Sequence, residues 1–241
     1  MYYKDIKDFK SQCGYDIAGI WYPRVTAIVS IKAKPALYKF YADQKDFESA
    51  EAMKNRSAEE GTLVHETLEG LMANNDFPIP PLVRPVAEAF QKFAAQHEII
   101  PLQIESQIVS HKHGYAGTID VLAEVDGVVG VLDIKTSKAI YRDYGIQTAA
   151  YVAALHEDPL IPPLMRWILR ADQSRPCVNG CGSSMRDKGG TSTMKESRYG
   201  IGCAHAWGPM TGEIELKELG SFEKDMTAFL AAKTLWEWEH D

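Results

Sequence analysis

Asp126-Gly127 separates two runs rich in β-branched residues, YAGTIDVLAEV before it and VVGVLDIKTS after it. Asp-Gly supplies the two positive-φ residues of a type I′ turn, a strong short-range signal for a hairpin. A two-residue loop pairs Val125 with Val128, and stepping outward along both strands brings Asp120 opposite Asp133. Their Cβ atoms then stand roughly 4.5–5.5 Å apart on one face, and alternation adds Lys135 to that face. Carboxylates so placed repel, and burial makes the repulsion worse. A solvated charged face would relieve it. The flanking Ile119, Val121, Leu132 and Ile134 imply instead a strand pair covered on both sides. A bridging divalent cation is then the simplest remedy, and hard oxygen ligands suit Mg²⁺ or Mn²⁺.

Around this hairpin the hydrophobic period divides the chain. Residues 1–50 predict short elements, with a helix beginning near Thr26 or Pro35. Ser57 followed by Glu60 resembles a capping box, and Val64, Leu68 and Leu71 follow at helical spacing. The prolines Pro78, Pro80 and Pro81 close that helix. A second helix is predicted over 83–97, with Val86, Phe90 and Phe93 on one face. PLQIESQIVS adds a strand ahead of the hairpin, and a helix over 143–156 leads to a strand at LMRWILRA. Residues 173–210 are rich in Gly and Ser. GEIELKEL is a last strand, and a helix over 221–239 could be capped by Ser221. At 241 residues the chain suits one domain. It divides into an N-terminal helical part (1–100), a core (101–171), an insertion (173–210) and a last strand and helix (211–241).

The formal net charge of −7 argues against a protein that coats nucleic acid by its overall charge. It leaves room for an enzyme that holds cations and grips phosphate locally. No apolar run approaches the ~18 residues of a membrane span, and MYYKDIKDFKSQCGYD lacks the apolar centre of a signal peptide. The expectation is a cytoplasmic protein with no membrane partner.

The pair GTID and LDIKTSK resembles the PD-(D/E)XK nuclease superfamily, in particular its RecB-type exonuclease branch. GTLVHETLEGL resembles the branch's histidine-bearing helix, QTAAY its QxxxY motif, and YPRVTAIVSIKAKPAL the lead-in of many members. The resemblance implies an α/β fold with a restriction-endonuclease-like core, a mixed sheet flanked by helices. It also implies metal-dependent hydrolysis of DNA. His65, Asp120 and Asp133 would be metal ligands together with the carbonyl of Ile134. Lys135 would orient or deprotonate the attacking water and stabilise charge on phosphate. Gln147 and Tyr151 would touch the DNA strand or the active site. On the residues alone, His65 lies about 100° from the buried stripe of its helix, where a structural histidine is the commoner finding. Gln147 and Tyr151 simply share a helix face. Glu66 and Glu105 are further carboxylates near the proposed site, His111 and His113 lie in a loop, and Arg24, Arg56, Lys138 and Arg142 are candidate phosphate grips.

The insertion carries Cys177, Cys181, Cys203 and His205. A segment of this composition buries little core, so an ordered form needs a staple. Three readings remain open: a tetrahedral zinc on these four residues, an iron–sulfur cluster with Cys13 as the fourth ligand, or unliganded thiols. The second matches the one-early, three-late cysteine order of some RecB-type nucleases, including those of CRISPR spacer acquisition. The functional expectation is a Mg²⁺/Mn²⁺-dependent deoxyribonuclease acting on single strands or DNA ends. The alternatives are a CRISPR-adaptation-type iron–sulfur nuclease and a non-cutting DNA-binding module of the same fold.

Overall fold

In the computed structural model, which describes residues 3–240, the hairpin forms around the expected turn. Asp126 has φ 49° and Gly127 φ 83°, and Val125 pairs with Val128. The Asp126 carboxylate also accepts the Glu98 N–H at 2.9 Å, tying the turn to the preceding strand.

The chain opens with α1 (Ile6–Cys13), a small ribbon of β1 (Gly14–Ile17) and β2 (Ile20–Pro23), and the short helices α2 (Val25–Val29) and α3 (Pro35–Asp43). The long helix α4 (Phe47–Met72) and α5 (Arg84–Ala94) precede β3 (Ile99–Ser110), β4 (Tyr115–Val125) and β5 (Val128–Lys135). Then come α6 (Asp143–Leu155), β6 (Met165–Pro176), β7 (Ser184–Lys188), β8 (Thr191–Lys195), β9 (Thr211–Glu218) and α7 (Phe222–His240). The fold is mixed α/β, a mostly antiparallel central sheet flanked by helices. β3, β4 and β5 are antiparallel neighbours. β6 lies parallel to β5 after the α6 crossover and antiparallel to β9. The end of β6 continues into the β7–β8 ribbon.

Each face of the sheet is covered, which is why β4 and β5 read as nearly continuous apolar runs. On one side Val64, Leu68, Val86 and Phe90 of α4 and α5 pack on Val121, Leu132, Ile134 and Leu169. On the other, Val25, Ile28, Tyr151 and Phe229 pack on Tyr115, Ile119 and Val131. No helix among the described residues is long and apolar enough to cross a membrane.

Three expectations need correction. The α4 helix begins ten residues before the Ser57 box, because Asp46 holds the extended N-cap conformation and accepts the Ser49 N–H at 2.7 Å; Ser57 lies inside the helix. The insertion is not loop throughout: Gly189 (φ 62°) and Gly190 (φ 78°) turn a second hairpin, with Lys188 paired to Thr191. Ser221 takes φ 57°, whereas an N-cap needs an extended backbone.

Candidate functional site

Asp120 and Asp133 stand where the hairpin opens. Their ladder runs from Val125↔Val128 to Val121↔Leu132, one step short of the two aspartates. Beyond it β5 goes on pairing with β6 through Lys135↔Arg170, and β4 with β3. In the gap, Asp120 Oδ2 accepts the Ile134 N–H at 2.7 Å. A strand residue points its N–H and C=O to the same side, so the Ile134 carbonyl also faces the Asp120 side.

The neighbouring strand is distorted at the same level. Ile104↔Val121 and Ser106↔Ile119 flank Glu105, which takes φ 49°. A non-glycine residue in the left-handed region within a strand is strained. The distortion brings Glu105 into the wall of an open cleft of ≈ 550 Å³, beside His65, Glu69 and Thr136.

Asp133 is fully buried, with Oδ1 accepting from Gln147 Nε2 at 3.1 Å. The Lys135 ammonium lies 2.5 Å from Oδ2 and 5.2 Å from the centre of the Tyr144 ring. That ion pair lacks the alignment of a hydrogen bond, so Asp133 Oδ2 remains a buried oxygen without a hydrogen-bond partner; Glu69 Oε1 is another. Gln147 Nε2 also donates to the Tyr151 hydroxyl at 2.8 Å. Tyr151 is buried among the apolar core and therefore meets Gln147, not solvent. Its ring explains the glycine of GTID: a Cβ on Gly117 would stand 2.6 Å from Tyr151 Cε1. Gln147 and Tyr151 thus position Asp133 from the α6 side. From the α4 side, His65 Nδ1 lies 3.7 Å from Asp120 Oδ2 and 3.8 Å from Glu69 Oε1.

The electrostatics follow from four carboxylates facing one lysine and one imidazole. Burial, reinforced by Asp133, pushes the Asp120 carboxyl up to about 7. Burial likewise raises Glu105, with the Glu69 carboxylate adding to the effect. Burial alone would lower Lys135 and His65. The aspartates reverse that for Lys135, and Glu69 with Asp120 reverses it for His65, so both are raised. Such a set, with Glu69 Oε1 buried without a hydrogen bond and Asp133 Oδ2 met only by the Lys135 ammonium, fits a hard divalent cation. It is a looser frame than a closed coordination shell. Among the described residues, the group whose ligand atoms all lie within 4.8 Å of one another is Cys177, Cys181, Cys203 and His205, an arrangement that could hold a metal ion. Cys13 is not in that group: it is buried in the core beside α2, and its Sγ meets the Tyr3 hydroxyl at 3.0 Å.

The other sequence candidates are scattered. Glu66 lines the cleft. His111 contacts the Tyr22 hydroxyl at 3.2 Å, and the backbone N–H groups of His111 and Lys112 are bound by Glu157, a structural loop clasp. Arg24 stacks over Tyr15, 4.6 Å from the ring centre. Arg56 donates to the Gly189 carbonyl at 3.1 Å. Arg142 starts α6 beside an open pocket shared with Lys217 and Lys224. The sequence reading missed Glu69, although His65 and Glu69 at i, i+4 necessarily share a helix face. It also missed Arg186 and Lys188, whose side chains donate to the Thr136 carbonyl at 2.8 and 2.7 Å, just past Lys135.

No protein-family model matches the chain, and no curated protein matches its sequence significantly.

Proposed function

We propose that this chain is a divalent-metal-dependent deoxyribonuclease of the RecB-type PD-(D/E)XK kind, with a restriction-endonuclease-like core, working on single strands or DNA ends. The observation that carries the reading is the fully buried Asp133, its Oδ2 met only by the Lys135 ammonium, held beside Asp120 where the β4–β5 ladder opens. Four carboxylates facing one lysine and one imidazole leave excess negative charge in such a place, which a divalent cation would neutralise.

His65, Asp120 and Asp133 would hold Mg²⁺ or Mn²⁺, with the Ile134 carbonyl facing the same gap; Glu69 and Glu105 supply further oxygen donors at its edge. When bound, the ion supplies Lewis-acid activation of water and of a phosphoryl oxygen. The chain's own residues do the rest. Gln147 fixes the rotamer of Asp133 and is itself fixed by Tyr151. Lys135, kept protonated by the aspartates, offers a cation to the charge that develops on the scissile phosphate. Thr136, braced by Arg186 and Lys188, keeps the end of β5 in place beside the cleft.

Incubation of the purified protein with end-labelled single- and double-stranded DNA, with and without Mn²⁺, tests the proposal. Metal-dependent shortening of the label supports it, and intact substrate at all metal concentrations refutes it.

A further inference from the structure

The insertion presents a folding problem that the nuclease reading does not touch. From Cys177 to Trp207 the only buried apolar side chains are those of Cys177 and Cys181, while Val178, Met194, Tyr199 and Ile201 are exposed. No aliphatic core holds this segment. Yet its backbone is specific: Cys177 N–H donates to the Ser183 carbonyl, Val178 N–H to Ala206, and Cys203 N–H to Gly200, all at 2.9 Å. These bonds bring two cysteine-bearing turns face to face.

We infer that Cys177, Cys181, Cys203 and His205 bind one Zn²⁺ as a structural site, and that this ion orders the β7–β8 hairpin that braces the cleft. The four ligand atoms lie within 4.8 Å of one another, and two of their separations match the edges of a zinc tetrahedron. Zn–S bonds of about 2.3 Å and Zn–N bonds of about 2.0–2.1 Å give edges of about 3.8 Å between two sulfurs and about 3.5 Å between sulfur and nitrogen. Cys177 Sγ and Cys203 Sγ are 3.9 Å apart, and Cys181 Sγ and His205 Nδ1 are 3.5 Å apart. A disulfide needs sulfurs about 2.05 Å apart, and none of the three cysteines forms one. The imidazole selects zinc over a four-cysteine cluster, and Cys13, the residue a cluster would need, packs in the core beside α2. His205 is held in orientation by stacking on Trp207, ring centres 5.1 Å apart.

The connection to the cleft runs through the hairpin. β7 folds back antiparallel onto the end of β6, Arg175 pairing with Met185 and Pro176 with Ser184, so the turn that carries Cys177 and Cys181 joins the two strands. Arg186 is anchored on Asp172 at 2.8 Å, Lys188 grips Thr136, and the Gly189 N–H donates to Glu60 of α4 at 3.0 Å. An ion that fixes the base of this ribbon therefore fixes contacts on two walls of the cleft.

Metal analysis of full-length protein purified without chelator tests the inference independently of any cleavage activity. About one zinc per chain supports it; iron, or no metal, overturns it. Replacement by Co²⁺ should give the visible absorption and thiolate charge-transfer bands of a tetrahedral Cys₃His site, and an octahedral spectrum would overturn it. Cys181→Ser should lower zinc occupancy at least tenfold, whereas Cys13→Ser should leave it at one per chain; the reverse pattern overturns the ligand assignment. Hydrogen exchange covers a variant that misfolds. In wild-type protein stripped with a chelator, amides of 177–195 should exchange faster while those of β4 and β5 stay protected. Unchanged exchange across 177–195 would show that zinc does not order the hairpin.

Discussion

The β4–β5 hairpin and the β7–β8 hairpin both turn on two positive-φ residues and both lead to a cluster of metal-type ligands, but they are held together differently. The first lies between two apolar layers, so packing supplies the order and the charges are a cost. The second has almost no apolar packing, and its ligands are themselves the nearest thing to a core. The carboxylate frame is accordingly loose and open to a cleft, as the proposed hydrolysis would require, whereas the ligand atoms of the Cys₃His set all lie within 4.8 Å of one another.

The sharpest test of this contrast is to remove a carboxylate. Asp133→Ala or Asp120→Ala should abolish detectable cleavage while the circular-dichroism spectrum stays native, because packing holds the region. Thermal melts in metal-free buffer should show Asp120→Ala, which relieves repulsion, at least as stable as wild type. Asp133→Ala should be less stable, because it leaves the buried Lys135 ammonium and Gln147 without their partner. Unfolding of both would mean that the aspartates support the fold, and the contrast would fail.

Lys135→Ala should lower the cleavage rate by about 10²-fold, the typical loss of one transition-state contact. Calorimetric titration should find divalent metal still bound, since removing the ammonium frees Asp133. Loss of metal binding with an unchanged rate per bound ion would assign Lys135 to the frame instead of the chemistry.

Strand alternation and a two-residue loop are rigid counting rules, and Asp126-Gly127 was enough to read the register from Val125↔Val128 to Val121↔Leu132. The direct pairing expected for Asp120 and Asp133 is not formed, because the ladder opens one step earlier and Asp120 turns to the Ile134 N–H. What escaped were features that counting does not reach. The left-handed Glu105 bends β3 for tertiary reasons, and no β-propensity announces it. The first turns of α4, FESAEAMKNR, have no apolar stripe, so the helix read as starting at Ser57 even though Asp46 was available as a cap. The Gly189-Gly190 turn carried a hairpin signal, but its flanking strands SMRDK and TSTMK lack the alternation that marks a buried face. The four ligands of the insertion were visible, while the exclusion of Cys13 depended on where α1 packs.

The pH dependence of the metal-free site gives a third test. The Asp120 value of about 7 lies above the 3.8 of an ordinary aspartate. Its protonation therefore favours the folded state fully below 3.8, and that contribution is lost as pH rises through about 7. Metal uptake at lower pH must displace this proton and that of the raised His65, so Mg²⁺ or Mn²⁺ affinity should fall more than about tenfold per pH unit below about 7. Calorimetry in buffers of differing protonation enthalpy should register more than about one proton released per ion at pH 6, from Asp120 and His65 together. Equal affinity at pH 6 and pH 8 would show that Asp120 is not a ligand.

The smallest expected effect distinguishes packing from ligation most directly. Gly117 is close to Asp120 in sequence but lies against the Tyr151 ring, where an added Cβ would stand 2.6 Å from Cε1. Gly117→Ala should force that ring to move and destabilise the fold by about 1–3 kcal/mol, the usual cost of overpacking. Tyr151 holds Gln147, and Gln147 holds Asp133, so the strain should reach the carboxylate as a slight misplacement and slow cleavage a few-fold, with metal affinity nearly unchanged. Urea unfolding and single-turnover kinetics on the same preparation separate the two effects. Tyr151→Phe provides the control, because it keeps the ring and removes only the hydroxyl that Gln147 contacts. A rate loss in Tyr151→Phe without loss of stability would place the effect in the hydrogen-bond chain. If instead Gly117→Ala left stability unchanged, the hairpin would be far softer than its buried pattern indicates, and the difference between the two hairpins would vanish.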